Sequence, residues 1–292
     1  MVTPAARREA VRHLREEHKA SERRACRVLQ VDRSTQRYVR ASSDDTALLE
    51  RLKALAEAKP RYGYRRLWVL LRRQGVRVNR KRVQRLYRQL GLSVRRTKRR
   101  RMAAHRRRVT TAPTRPNERW SMDFVSDRSA NGNALRVFAI VDDFTRENVA
   151  LEASPTFPAE RVVAVLERLR FVRGLPDSLL SDNGTEFTSK ALDQWAWSCG
   201  VELRFTRPGK PVDNAFIESF NGKLRDECLN RSWFVSVEDA RRTLAAWRRE
   251  YNEERPHSSL GNRTPAEYAA LRSLPIPTDR SGPHTPFPGC SV

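Results

Sequence analysis

Three acidic residues lie where a carboxylate is unusual or is well placed for chemistry. Asp123 lies within WSMDFVS, a predicted β-strand, where aspartate is disfavoured and its burial near other carboxylates is costly without a cation. Asp182 ends another predicted strand in SDNGTEF, where Asn183 and Gly184 force a tight turn, and Glu218 lies on a predicted helix. Such carboxylates are the oxygen ligands that Mg²⁺ prefers, and a two-metal site activates the attacking and leaving oxygens of a phosphodiester.

Each position also has an ordinary structural explanation. An aspartate before Asn-Gly is often only a turn residue, a helical glutamate is usually a solvated surface charge, and Asp123 is also a candidate partner for an arginine. Asp142 and Asp143, at the end of a second predicted strand, are the alternative acidic pair. Their position near the rim of the sheet would suit groups that lie behind the metal ligands.

The spacing of these carboxylates, with 35 residues between Asp182 and Glu218, resembles the catalytic signature of the DDE transposase and retroviral-integrase superfamily. Within that superfamily the chain resembles insertion-sequence transposases of the IS-three family, in the form of their second reading frame. The matching motifs are RPNERWSMDF, SDNGTEF, KPVDNAFIESFNGKLRDEC and YNEERPHSSLGNRTPAEY. RYGYRRLWVLLRRQG and NRKRVQRLYRQLGL resemble the family's upstream helix-turn-helix, so that the resemblance covers about residues 45 to 270.

The resemblance implies a function as well as a site. It makes Asp123, Asp182 and Glu218 the ligands of two Mg²⁺ ions, with Mn²⁺ as the usual substitute. It implies cleavage at the ends of a mobile element and transfer of the freed strand into target DNA. It also implies a homo-oligomer on double-stranded DNA, because two ends must be brought together, and either a first-frame partner protein or a fusion with it. No structural zinc is expected, because His13, His18 and Cys26 lack a fitting second cysteine.

The charge distribution independently indicates a polyanionic partner. The formal net charge is +24, and residues 1–116 hold 35 Lys and Arg against 9 Asp and Glu, while residues 117–292 hold 23 against 25. The four cysteines show no CxxC spacing, and no segment has the length of a membrane span or the apolar core of a signal peptide. We therefore expect a cytoplasmic, nucleoid-associated protein of a bacterial host, with no membrane partner.

The pattern of elements predicts five segments. Residues 1–41 form a helix-turn-helix-like unit in which Ser34 is a candidate cap of the third helix, and residues 46–92 form a second such DNA-binding module. A basic linker covers 93–116, the catalytic core covers 117–272, and a proline-rich tail over 273–292 is expected to be disordered. Three consecutive strands followed by alternating helices and strands predict an α/β RNase H-like core with a mixed five-stranded sheet flanked by helices.

The predicted contacts to DNA lie in three places. Few acidic residues stand near the arginines of the 46–92 module, such as Arg73, which favours phosphate contacts over ion pairs along the helix. An acid-free arm over 95–108 carries nine basic residues, and further basic residues follow Glu218 on its helix. The candidates are Arg80, Lys81 and Arg85 in the module, Arg99, Arg100 and Arg101 in the arm, and Lys223 and Arg225 after Glu218.

Three rival classes remain at this stage. A DNA-binding regulator with a catalytically silent core would need the same basic modules but not the three carboxylates. A nuclease of the RNase H type would cut DNA without joining it. An RNA-binding scaffold would need aromatic stacking platforms, which the sequence lacks.

Overall fold

The computed structural model describes residues 3–38, 45–94, 112–207 and 214–272. The arm with Arg99, Arg100 and Arg101 and the proline-rich tail lie outside these ranges. Internal contacts divide the chain into two compact units, Met1–Arg51 and Leu52–Val292. In the described part, no helix is long and apolar enough to cross a membrane. The five segments drawn from the sequence stay a prediction.

The first unit contains three short helices, α1 (Pro4–Glu16), α2 (Glu22–Val28) and α3 (Arg33–Arg37), around a small core of Val11, Ala25 and Cys26. The expected cap at Ser34 is wrong, since α3 begins at Arg33 with Asp32 in the cap position. Arg33 and Arg37 lie one turn apart and both donate to Glu22 of α2, which draws Arg33 into the helix.

Three further helices follow, α4 (Thr46–Ala58), α5 (Tyr64–Arg73) and α6 (Arg80–Gln89). The apolar residues of α5 and α6 recur at three- and four-residue steps, which places Leu67, Leu71, Val83 and Leu86 on buried faces. Gly75 turns the chain after α5 with a φ of 82°. Asn79 caps α6 by accepting the Lys81 N–H, as its position in the sequence predicts.

The second unit also contains a five-stranded sheet of β1 (Arg119–Arg128), β2 (Ala134–Asp142), β3 (Asn148–Ser154), β4 (Ser178–Ser181) and β5 (Glu202–Phe205). The strand order is β3-β2-β1-β4-β5. The first three strands form an antiparallel meander, whereas β4 pairs parallel to β1 and β5 pairs parallel to β4. The mixed sheet of the RNase H-like class is confirmed.

Helices cover both faces of this sheet. Met122 and Phe138 pack on one face with α7 (Ala159–Arg173) and α8 (Lys190–Cys199). Val125 and Val137 pack on the other face with α9 (Ala215–Glu227) and α10 (Val237–Glu253). Because side chains alternate along a strand, Asp123 shares the face of Val125 and points towards α9. The short helix α11 (Pro265–Ala270), which begins with a capping box, closes the described chain.

Candidate active site

Asp123 lies in the middle of β1, and its carboxylate is held by two donors. Oδ1 accepts the N–H of Phe124 at 2.7 Å, and Oδ2 accepts Nδ2 of Asn221 at 2.8 Å. Neither donor is an arginine, so the alternative of an arginine partner receives no support. Burial raises the pKa of Asp123 to about 6, and the negative charges of Asp182 and Glu218 act in the same direction.

Asp182 directly follows β4, the strand that pairs with β1. The pairing aligns Ser121 with Leu180, and the same register continued by two residues brings Asp182 opposite Asp123. Its Oδ1 accepts the N–H of Gly184 at 3.0 Å, which fixes the carboxylate at the turn. A Cβ at position 184 would lie 3.0 Å from that oxygen, so the turn needs glycine.

Glu218 lies on α9, whose buried stripe of Ile217, Phe220 and Leu224 packs on the sheet. The Glu218 side chain is exposed, and partial burial raises its pKa. Asn221 lies one turn later on the same helix and makes the hydrogen bond to Asp123. The structure therefore brings the helix of Glu218 against the strand of Asp123.

The chemistry of this donor set suits a hard divalent cation. The raised pKa of Asp123 reports an excess of negative charge that a bound cation would relieve. Within the described residues, however, no group of three or more His, Cys, Asp or Glu side chains is already arranged to hold a metal ion. Glu218, as an exposed side chain, can change rotamer at little cost. The three carboxylates thus fit the ion in type and neighbourhood, but do not form a finished coordination shell.

The alternative acidic pair at the end of β2 has structural partners. Asp143 is fully buried and accepts hydrogen bonds from Arg119 at 2.6 Å and Ser121 at 2.7 Å. Asp142 accepts backbone N–H groups, including that of Thr145 in the turn after β2. These contacts account for both carboxylates, and a role behind the metal ligands is not needed to explain them.

Comparison with known families decides the identity. Residues 113–211 and 199–265 match two families that are each described as "Integrase core domain", and residues 43–101 match one described as "HTH-like domain". An uncharacterised 31.7 kDa protein of insertion element IS407 from Burkholderia multivorans is 46% identical over 88% of this chain and 93% of its own length. The transposase InsD of insertion element IS2 from Escherichia coli is 35% identical over 79% of this chain and 81% of its own length. The chain belongs to the IS-three family of insertion-sequence transposases. It is a DDE-type polynucleotidyl transferase.

Two solved structures of low sequence identity are also similar. The magnesium complex of the HTLV-2 integrase catalytic core covers 53% of the transposase at 14% identity, with a TM-score of 0.44. A simian T-cell lymphotropic virus intasome in complex with a PP2A regulatory subunit covers 83% of the transposase and 80% of its own chain at 14% identity, with a TM-score of 0.49.

The predicted DNA contacts of the transposase differ in their surroundings. Arg80, Lys81 and Arg85 are exposed on α6. Lys223 is half-buried and donates to Ser219, and burial lowers the pKa of its ammonium group to about 8. Arg225 is exposed and donates to the backbone oxygen of Ser126 at 3.3 Å, beside the far end of β1.

Other basic residues of the 46–92 module bind carboxylates of the catalytic core. Lys59 pairs with Glu250 at 2.7 Å, and Arg73 pairs with Glu267 at 2.7 Å. Arg61 pairs with Asp226 at 3.1 Å. The expectation that the Arg73 side chain contacts phosphate is therefore wrong for this arrangement, because its acidic partner lies 194 residues away, where a search along one helix does not reach it.

Proposed function

We propose that the transposase cleaves the ends of its insertion element and joins them to target DNA, with two Mg²⁺ ions held by Asp123, Asp182 and Glu218. The juxtaposition of β1, β4 and α9 carries this proposal. Parallel pairing sets Asp182 beside Asp123, and the Asn221 hydrogen bond holds the helix of Glu218 against them. Mn²⁺ is the expected substitute ion.

Bound Mg²⁺ would activate the attacking water or 3′-hydroxyl and neutralise charge on the phosphate. The residues of the chain orient the ligands. The Phe124 N–H and Asn221 hold the carboxylate of Asp123, and the Gly184 N–H holds that of Asp182. Asp123 must lose its proton to act as a ligand, so metal binding should strengthen as the pH rises through about 6.

DNA binding is assigned in this proposal to the basic half of the chain. The exposed start of α6, with Arg80 and Lys81, suits contact with an element end, and the arm over 95–108 suits a sequence-independent grip on phosphates. Arg225 and Lys223 are the proposed contacts nearest to Glu218. Because two ends must meet, at least two copies should assemble on DNA, alone or with a first-frame protein.

The test is a joining reaction. Labelled duplexes from either side of the coding sequence are incubated with the full-length protein and supercoiled plasmid, with Mg²⁺ or with a chelator. The proposal predicts labelled strands joined to plasmid only when the metal is present. Cleavage without joining would indicate an RNase H-type nuclease, and binding without either reaction would indicate a silent regulator.

A further inference from the structure

A buried ion pair closes the end of α9 that lies away from Glu218. Glu227, the last residue of α9, accepts two hydrogen bonds from Arg255, at 2.8 Å from Nε and 2.6 Å from Nη2. The Arg255 side chain is 1% exposed and that of Glu227 is 10% exposed. Such a two-pronged pair fixes orientation as well as distance, because both groups are planar.

Aromatic rings enclose this pair. Tyr251 packs edge-on against Phe220 of α9 with ring centroids 5.0 Å apart, and His257 packs against Tyr251 at 4.9 Å. The Arg255 guanidinium lies 5.6 Å from the Tyr251 ring. Water therefore cannot replace Glu227 as the partner of Arg255. Most of the motif YNEERPHSSLGNRTPAEY, which the catalytic site does not use, builds this enclosure.

The two ends of α9 are held on different sides. Glu227 follows Glu218 by nine residues, which corresponds to about 13.5 Å along the axis and roughly half a turn around it. At the other end, Asn221 holds the helix to Asp123. A helix that is held at both ends can neither slide nor rotate, so that a displacement at Glu227 would be transmitted to Glu218.

We propose that Arg255 is a positioning residue for Glu218 that acts through Glu227. The inference rests on the proposed function, because it takes Glu218 as a metal ligand. Arg66 of α5 makes a second and longer contact with the same carboxylate, at 3.6 Å. Its side chain is 34% exposed, so its contribution to the position of α9 is smaller than that of Arg255.

The experiment measures Mn²⁺ binding to the full-length protein without DNA, by electron paramagnetic resonance of the free ion, and then joining as a function of Mg²⁺ concentration. Arg255→Lys keeps the charge but loses the two-pronged geometry. It should weaken Mn²⁺ binding by about tenfold and raise the Mg²⁺ requirement for joining in parallel, with unchanged DNA affinity. Arg66→Gln should produce a smaller shift. Mn²⁺ should restore part of the joining rate that Arg255→Lys loses in Mg²⁺.

The matched control is Arg173→Lys, which disturbs a part-buried pair with Glu147 at 2.6 Å, away from α9. It should lower the melting temperature without changing Mn²⁺ affinity. Glu227→Asp, which keeps the charge and shortens the reach, gives the same test in a milder form. Wild-type Mn²⁺ affinity in folded Arg255→Lys and Glu227→Asp, or equal weakening by Arg173→Lys, would overturn the inference. Failure of the wild-type protein to bind Mn²⁺ would instead defeat the proposed function.

Discussion

Replacing Asp123 with asparagine should stabilise the metal-free protein while it abolishes DNA cleavage. Burial raises the pKa of this carboxyl group from 3.8 to about 6, so its ionised form destabilises the native state. A rise of this size corresponds to about 3 kcal/mol of unfolding free energy when the group is fully ionised. Asparagine removes the charge and keeps an oxygen that can accept the Phe124 N–H.

The sign of the pH dependence follows from proton binding. Between about pH 3.8 and 6 the native carboxyl retains a proton that the unfolded chain has lost, so the contribution of Asp123 to stability falls as pH rises. The advantage of Asp123→Asn should therefore be small near pH 4 and complete above about pH 7. In a unit of this size, about 3 kcal/mol corresponds to a melting temperature roughly 6 to 12 °C higher.

Thermal unfolding in a chelating buffer, followed across this pH range, measures the difference between wild type and Asp123→Asn. Asp127→Asn on the same strand is the control and should follow the wild type. Added Mn²⁺ should raise the melting temperature of the wild type and leave that of Asp123→Asn nearly unchanged. A variant that is less stable than the wild type at about pH 8 without metal would refute the reasoning from burial and charge.

Three further predictions concern the basic residues. Replacing the centre of the arm with alanine should weaken binding to all duplexes about equally and lower the slope of log affinity against log salt by up to ~0.9 per lost contact; loss confined to element ends would contradict a nonspecific grip. That variant combines Arg99→Ala, Arg100→Ala and Arg101→Ala. Replacing basic residues of α6 should instead reduce the preference for the element end over a scrambled duplex, and an equal loss on both would argue against base contacts. The variants are Arg80→Ala, Lys81→Ala and Arg85→Ala. Finally, Arg73→Gln should change the unfolding free energy by no more than about 1 kcal/mol in chemical denaturation, because its partner Glu267 is 47% exposed; a larger loss would show that this pair anchors the module.

The catalytic core was predictable because its signals are local. Apolar segments bounded by turn residues define β1 to β5, and the left-handed Gly200 ends α8 as expected. The placement of Asp123 within β1 and of Asp182 directly after β4 follows from the same signals. Their proximity follows from the strand order that the resemblance implies.

The contacts between distant segments were not predictable. Arg255 and Glu227 lie 28 residues apart, and Arg73 lies 194 residues from Glu267, so neither pair has a spacing that a helix or strand repeat would reveal. The six residues of α11 are too few for a periodic pattern. For the same reason, the sequence identifies the YNEERPH motif without indicating that its arginine holds the helix of Glu218.

The most direct test of the account compares the joining activity of single carboxylate variants with their DNA binding. Asp123→Asn, Asp182→Asn and Glu218→Gln are each assayed with a labelled element end and plasmid in Mg²⁺, with Asp127→Asn as the control. The account predicts that each of the three loses cleavage and joining while its affinity for the element end stays near that of the wild type. Cleavage at the wild-type rate by any one of the three would remove that residue from the metal site and contradict the proposed mechanism.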